Sequence, residues 1–352
     1  MSVDVNKLQF GLDTFGDLAY DDETGALMSY EESLQMIVKE AMLADELGID
    51  VLALGEHHRK EFSISSPDTV LAALALVTKN IILGTGVTVL SSDDPVRVYE
   101  RFATIDALSN GRAQIMIGRG SFIESFPLFG YDLKDYNELF EEKIALLYEL
   151  LKNEPVTWKG EFTQTLNNIQ VYPKLQKRLD VHVGVGGSPD SIIRAAKYGF
   201  PVMLAIIGGE PTRFKPYVEL YHRAAEQFNQ PLHPLGMHSH GVIADTDEEA
   251  YEIAYQYIRG SMDMIGKERG WAPMNQERFD FEVKHGSYYV GSVQTVAQKM
   301  ARMIPAVGVQ RFDLIYGIGG QKQKDRFKTI QLYGEQVIPR VKEILKSRAT
   351  HD

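Results

Sequence analysis

The chain of 352 residues contains no cysteine. That absence excludes disulfides, thiolate metal sites and a thiol nucleophile, and it fits the cytoplasm as the expected location. Nothing near the N-terminus reads as a signal peptide, and no apolar run approaches the length of a membrane span. No linker, low-complexity tract or internal repeat interrupts the chain, so one domain over 1–352 is expected. Basic residues are in deficit: 37 Lys and Arg face 48 Asp and Glu, giving a net charge of −11. Neither nucleic acid nor an anionic membrane would be drawn to such a surface. The dinucleotide fingerprint G-x-G-x-x-G is also missing, since Val89 stands where the turn beginning at Gly84 would need its last glycine.

What is present is an ordinary globular composition, 44% apolar and 24% charged, enough for a sizeable core. The stretch 81–121 reads as strand, loop, helix, turn and strand. Ile81 to Leu90 is an apolar β-rich run interrupted by Gly84 and Gly86. Pro95 suits a first helical turn, Val98, Phe102, Ile105 and Leu108 recur at helical spacing, and Ser109-Asn110-Gly111 ends the helix. Residues 113–117 form a second buried strand ending in Gly118-Arg119-Gly120. The same alternation extends along the chain, with strands expected at 8–14, 51–54, 81–90, 113–117, 181–185, 201–207, 235–244 and 312–316. Helices separate them, the last over 325–346. Eight such units without a break in composition favour a single α/β (β/α)8 TIM barrel, with insertions after strands four and seven, over a doubly wound sheet.

In a barrel the chemistry belongs at the C-terminal strand ends, and the candidate polar residues fall there. Glu56-His57-His58 follows strand two, Gly86 and Ser91 follow strand three, and Arg119 follows strand four. After strand five, Gly186-Gly187-Ser188-Pro189-Asp190-Ser191 opens a helix whose free amides and partial positive charge suit a phosphate. Arg119, on the neighbouring strand, can add charge-assisted hydrogen bonds. Taken alone, Ser188 and Asp190 read more readily as a plain helix cap, and it is Arg119 and Gly186-Gly187 that turn the reading toward a phosphate; Gly84 and Gly86 read equally as packing glycines. His57 is placed to move protons near neutral pH, or to serve as a structural hydrogen-bonding group or a metal ligand. His238 and His240, two apart on strand seven, face one side; without a third ligand at a fixed spacing they read as mouth-packing or substrate-contact residues, and no metal site is expected. The long aromatic segments 121–133 and 271–289 suit loops that exclude water, or surfaces that pack on the barrel or on a second copy.

GTGVTVL, the DPVR loop, the DALSNGR turn and IGRGS together resemble the bacterial-luciferase-like, flavin-dependent monooxygenases. The resemblance implies FMN as cofactor, with its phosphate held by Arg119, Gly187, Ser188 and Ser191. It also implies a cis bond between Gly86 and Val87 supporting the flavin ring, and His57 as the catalytic residue on the reacting side. Gly118 stands where bacterial luciferase has a cysteine, a departure that bears on light emission and aldehyde use rather than on flavin binding. Reduced FMN and O2 would oxidise a small organic substrate, the reducing power coming from a separate flavin reductase or from NAD(P)H. A homodimer is implied as well. Two further readings stand beside this one: a deazaflavin (F420)-dependent dehydrogenase on the same fold, and a flavin-binding protein without turnover.

Overall fold

Eight parallel strands organise the chain in the computed structural model, which describes residues 4–120 and 122–349: β1 (Gln9–Thr14), β2 (Val51–Leu54), β3 (Ile82–Thr85), β4 (Gln114–Gly118), β5 (Asp180–Val185), β6 (Val202–Ala205), β7 (Gly236–Ile243) and β8 (Arg311–Ile315). They pair in the order β3-β2-β1-β8-β7-β6-β5-β4. The third strand does not run unbroken over 81–90. Ile82–Thr85 pairs with β2, and the chain then bends at Gly86–Val87 before Thr88–Val89 pairs with Ile117–Gly118 of β4. A bridge between Leu83 and Ala113 completes the ring. Glycines at 84 and 86 supply no side chains to stiffen one continuous strand, which lets the two halves serve different neighbours. The architecture is therefore an α/β TIM-barrel-like fold.

The helices between strands start where their sequences direct. Ser29 accepts from the Glu32 amide at 3.2 Å while Glu32 accepts from the Ser29 amide at 2.8 Å, a reciprocal cap on Tyr30–Glu46. Asp94 caps Pro95–Leu108, with proline in its first turn. The single helix expected over 325–346 is instead three consecutive pieces, Gln323–Leu332, a π turn Tyr333–Val337, and Ile338–Ala349. Gly334 lies against helix Tyr30–Glu46: a Cβ there would meet Leu47 Cβ at 2.8 Å. Close contact of this kind is where a helix gains from a local change of pitch.

Two insertions interrupt the alternation of strands and helices. One follows β4 and carries the hairpin Val156–Trp158 with Leu166–Ile169, the turn expected at WKGEF. The other follows β7 and comprises helices Asp247–Arg269 and Gln276–Lys284, then the short strand Tyr289–Gly291. That strand pairs in parallel with Gly241–Ile243 and was not foreseen. It extends β7 beyond the ring, and Val242, Ala254, Ile258, Phe279 and Tyr288 build a second apolar cluster around it. No helix among the described residues is long and apolar enough to cross a membrane.

The barrel interior is partly polar. Arg311 makes two bonds to Asp313, at 2.8 and 2.6 Å, and donates to Gln114 Oε1 at 2.6 Å. Gln114 in turn donates to Asp180, whose Oδ2 also lies 3.0 Å from His182 Nε2. Buried charges of this kind persist only when paired and hydrogen-bonded.

Candidate active site

The C-terminal ends of the strands enclose a cavity of about 890 Å3, lined among others by His57, Gly86, Val87, Arg119, His238 and Tyr288. The bond between Gly86 and Val87 is cis, as the resemblance implied. Val87 rests on a bed without side chains: a Cβ at Gly118 would come within 2.8 Å of its side chain, and one at Gly184 within 2.9 Å. The Gly118 position therefore has no room for a cysteine unless Val87 moves. Behind Gly86 sits Asp13, whose carboxylate oxygens would be 2.7 and 2.8 Å from a Cβ at that position. The glycine pattern is thus one of close approach, and it presents an edge of backbone and one valine to the cavity.

At the other end of the cavity the fourth and fifth strands meet as expected. Arg119 donates to Ser191 Oγ at 3.5 Å and to Asn137 Oδ1 at 3.0 Å, and its guanidinium lies 5.1 Å from the centroid of the Tyr136 ring. Among the described residues no carboxylate pairs with Arg119. Ser188 caps helix Pro189–Lys197 through a 3.4 Å bond from the Ser191 amide, and Tyr217 donates to the Gly187 carbonyl at 2.9 Å. Gly187 has φ +120°, a conformation glycine adopts without strain. Asp190 is exposed. Gly187, Ser188 and Ser191 do not line the cavity themselves; they stand at its edge beside Gly186, joined to it by Arg119. A second cation was overlooked. Arg194, one helical turn beyond Ser191, donates to the same Oγ at 3.3 Å and is also held by Glu141. The i,i+3 spacing from Ser191 was the available signal.

The histidines revise the electrostatic expectation. His57 sits in a box of aromatic rings, with centroids of Phe15, Phe62 and Phe122 at 5.2, 4.5 and 5.2 Å, and its Nε2 is buried without a hydrogen-bond partner. Burial, reinforced by the nearby charges of His58 and Arg59, pushes it down to about 3. It is neutral near pH 7, so the expected proton transfer at an ordinary histidine pKa is not what these surroundings favour. Glu56 supports the loop, accepting from the Val89 amide at 2.8 Å and meeting His58 Nε2 at 3.0 Å. His238 and His240 do share a side. His238 Nδ1 contacts Asp13 Oδ2 at 2.7 Å, while His240 packs edge-on against Tyr288 and Phe15 with its Nδ1 unpartnered. No cluster of three or more metal-ligating side chains occurs among the described residues.

His240 carries a stability prediction. Burial, then the charge of His238, pushes it down to about 3 from an ordinary 6.5. An unfolded chain takes up a proton there below pH 6.5 that the folded chain refuses until about 3. The stability it confers is therefore complete above 6.5 and is lost as pH falls through that window, by about 1.4 kcal/mol per pH unit at most. Asp17, pushed up to about 6 by its own burial, acts in the opposite sense. Comparing wild type with His240→Leu by urea unfolding from pH 7 to 4 isolates the histidine. The variant should show the shallower acid decline, and parallel curves would refute the assignment.

Both aromatic loops reach the cavity, through Phe122 from one and Trp271, Ala272 and Tyr288 from the other. Arg59 ties the first loop to the end of helix Asp247–Arg269, which leads into the second. It bonds Glu124 at 2.9 Å and Glu268 at 2.7 and 2.5 Å, with its guanidinium 4.6 Å from the Phe122 centroid.

A family model described as luciferase-like monooxygenase matches residues 13–311. The alkanal monooxygenase alpha chain of Photorhabdus luminescens is 28% identical over 242 residues, 65% of this chain and 64% of that one. The chain thus spans less than two thirds of the length of the first curated relatives it matches. Among solved structures, a monooxygenase of Streptomyces bottropensis has a TM-score of 0.80 at 22% identity, covering 94% of this chain and 99% of its own. The oxygenating constituent of 3,6-diketocamphane monooxygenase of Pseudomonas putida, solved with FMN, has a TM-score of 0.74 at 20% identity, over 95% and 99%. An F420-dependent secondary alcohol dehydrogenase, solved with an F420–acetone adduct, also reaches 0.74, at 17% identity over 97% and 99%. The structural likenesses speak for the fold; the family match, which takes in most of the barrel, makes this chain a member of the luciferase-like monooxygenase family.

Proposed function

We propose that this protein is an FMN-dependent monooxygenase that oxidises a small organic substrate with O2. The observation that carries the reading is Arg119, a strand-tip guanidinium with no carboxylate partner among the described residues, aimed at Ser191 in the first turn of a helix. That junction fits a phosphate: a cationic donor, serine hydroxyls at the partially positive start of a helix and a glycine-bared approach meet at one place. Arg119, Gly187, Ser188 and Ser191 would hold the phosphate, with Arg194 behind them. Gly86 and Val87 would support the ring, since the backbone there is open to a flat group. Bound FMN supplies electron transfer to O2. The chain's own part is to position it, to exclude water with Phe122, Trp271 and Tyr288, and to keep His57 as a neutral hydrogen-bonding group in its aromatic box. Reducing equivalents would come from a separate reductase or NAD(P)H, and the active unit would be a homodimer.

The deazaflavin reading stays in view because one solved neighbour of equal TM-score uses F420. Oxygen consumption by the protein with chemically reduced FMN, measured with a panel of ketones and aldehydes, separates the two. Substrate-dependent oxygenated product supports the monooxygenase. Hydride transfer from an added secondary alcohol to added F420, giving the ketone, with no substrate-dependent oxygenated product from reduced FMN would replace it with the dehydrogenase. Binding without either leaves only a flavin carrier.

A further inference from the structure

A second cavity, of about 580 Å3, lies beside the first. Its walls come from the loop after β1, from helix Asp247–Arg269 and from the turn after β8. Asp17 and Ser261 line both cavities, so the two spaces meet at these side chains. The remaining walls are largely apolar: Leu18, Tyr20, Leu27, Tyr257 and Met264, with the two tyrosine rings 6.0 Å apart. Charged groups take part too, Glu61, which is drawn to Arg59 at 3.4 Å, and the half-buried Lys322.

Asp17, like Asp13 and Glu124, has a buried carboxylate oxygen without a hydrogen-bond partner, and of the three it alone lines the two cavities. It is only 6% exposed, and its Oδ1 accepts from the Gly319 amide at 2.8 Å. Its Oδ2 is buried with no hydrogen-bond partner. A buried carboxylate oxygen without a donor is costly, and native structures rarely leave one so without a use for it. The side chain stands where two cavities join, between apolar walls that would receive a hydrocarbon surface.

We propose that this second cavity is an antechamber for the distal part of the organic substrate. The substrate would be an elongated, mainly apolar molecule bearing a hydroxyl or N–H that donates to the Asp17 carboxylate, its reacting end lying in the flavin chamber. The proposal rests on the monooxygenase reading for the reacting end; the binding site itself does not. One position offers a clean test. A Cβ at Gly260, in helix Asp247–Arg269, meets nothing within 4 Å, so a leucine there fills cavity space without displacing protein. It also replaces glycine within a helix by a better helix former.

The experiment measures binding of 2-naphthol, and of 2-methoxynaphthalene, which keeps the rings and lacks the donor, to the full chain by equilibrium dialysis. FMN is titrated in parallel. Wild type should prefer the naphthol by about tenfold, the value of one hydrogen bond to a charged acceptor. Asp17→Asn should bring that preference close to one, and Gly260→Leu should weaken both probes by about tenfold or more. The antechamber is refuted if wild type shows no preference, if the preference survives in Asp17→Asn, or if Gly260→Leu binds both probes as wild type does. Should FMN fail to bind while the probes behave as expected, the antechamber stands and the flavin reading falls.

Discussion

Arg119→Ala should raise the Kd for FMN by about 10- to 100-fold while changing the Kd for riboflavin little. A charge-assisted hydrogen bond contributes about 1.5–3 kcal/mol, and 1.4 kcal/mol is a factor of ten. The guanidinium is already oriented by Asn137 and by the face of Tyr136, so little ordering cost is left to offset that gain. Among the described residues no carboxylate pairs with Arg119, so a phosphate displaces no counter-ion from it; Glu141, the acidic group beside the site, is engaged by Arg194. Arg194→Met should cost less, because Glu141 already neutralises that side chain. The measurement is a pair of fluorescence-quenching titrations, FMN and riboflavin, for each variant. The diagnostic quantity is the ratio of the two affinities, because general damage to the cavity would lower both. An unchanged ratio in Arg119→Ala would place the phosphate elsewhere.

Much of this site is written in short local patterns, which is why it was legible. The alternation of β-rich runs with amphipathic helices specifies the ring, and a serine-proline start specifies the helix at 188–197. An arginine between two glycines at a strand end is a local signal as well. Parallel neighbours follow from barrel connectivity, so the approach of Arg119 to Ser191 needed only the strand count. What was not legible depends on contacts distant in sequence. The carboxylate behind Gly86 belongs to Asp13, and its partner His238 lies 225 residues further on. The depressed pKa of His57 comes first from burial, to which Phe15 and Phe122 are brought from two other loops. The strand at Tyr289–Gly291 is too short for a period to show. Composition in each case leaves the residue's environment open; packing decides it.

The largest stability loss should come from Glu40→Leu, about 3–5 kcal/mol, because it leaves a fully buried guanidinium without its counter-ion. Arg326 and Glu40 are both 0% exposed, joined by bonds of 2.8 and 2.9 Å, and Tyr316 donates to the same carboxylate at 2.9 Å. Arg326 also donates to the Asp17 carbonyl at 3.0 Å. The pair therefore fastens the first barrel helix, the end of β8 and the loop after β1 to one another. Replacing both partners, Glu40→Leu with Arg326→Met, should recover part of the loss, since well-packed apolar residues can substitute for a buried pair. Recovery should be incomplete, because the Tyr316 hydroxyl and the Asp17 carbonyl then lack their partners. Urea midpoints at constant m-value test this, and a single variant within 1 kcal/mol of wild type would contradict it. The double variant also reaches the chemistry. Phe15, which packs on His57, and Asp17, where the two cavities join, both sit on the loop that Arg326 anchors. If the ion pair serves to hold that loop, the double variant should recover stability yet lose the naphthol preference. If it serves stability alone, the two should recover together.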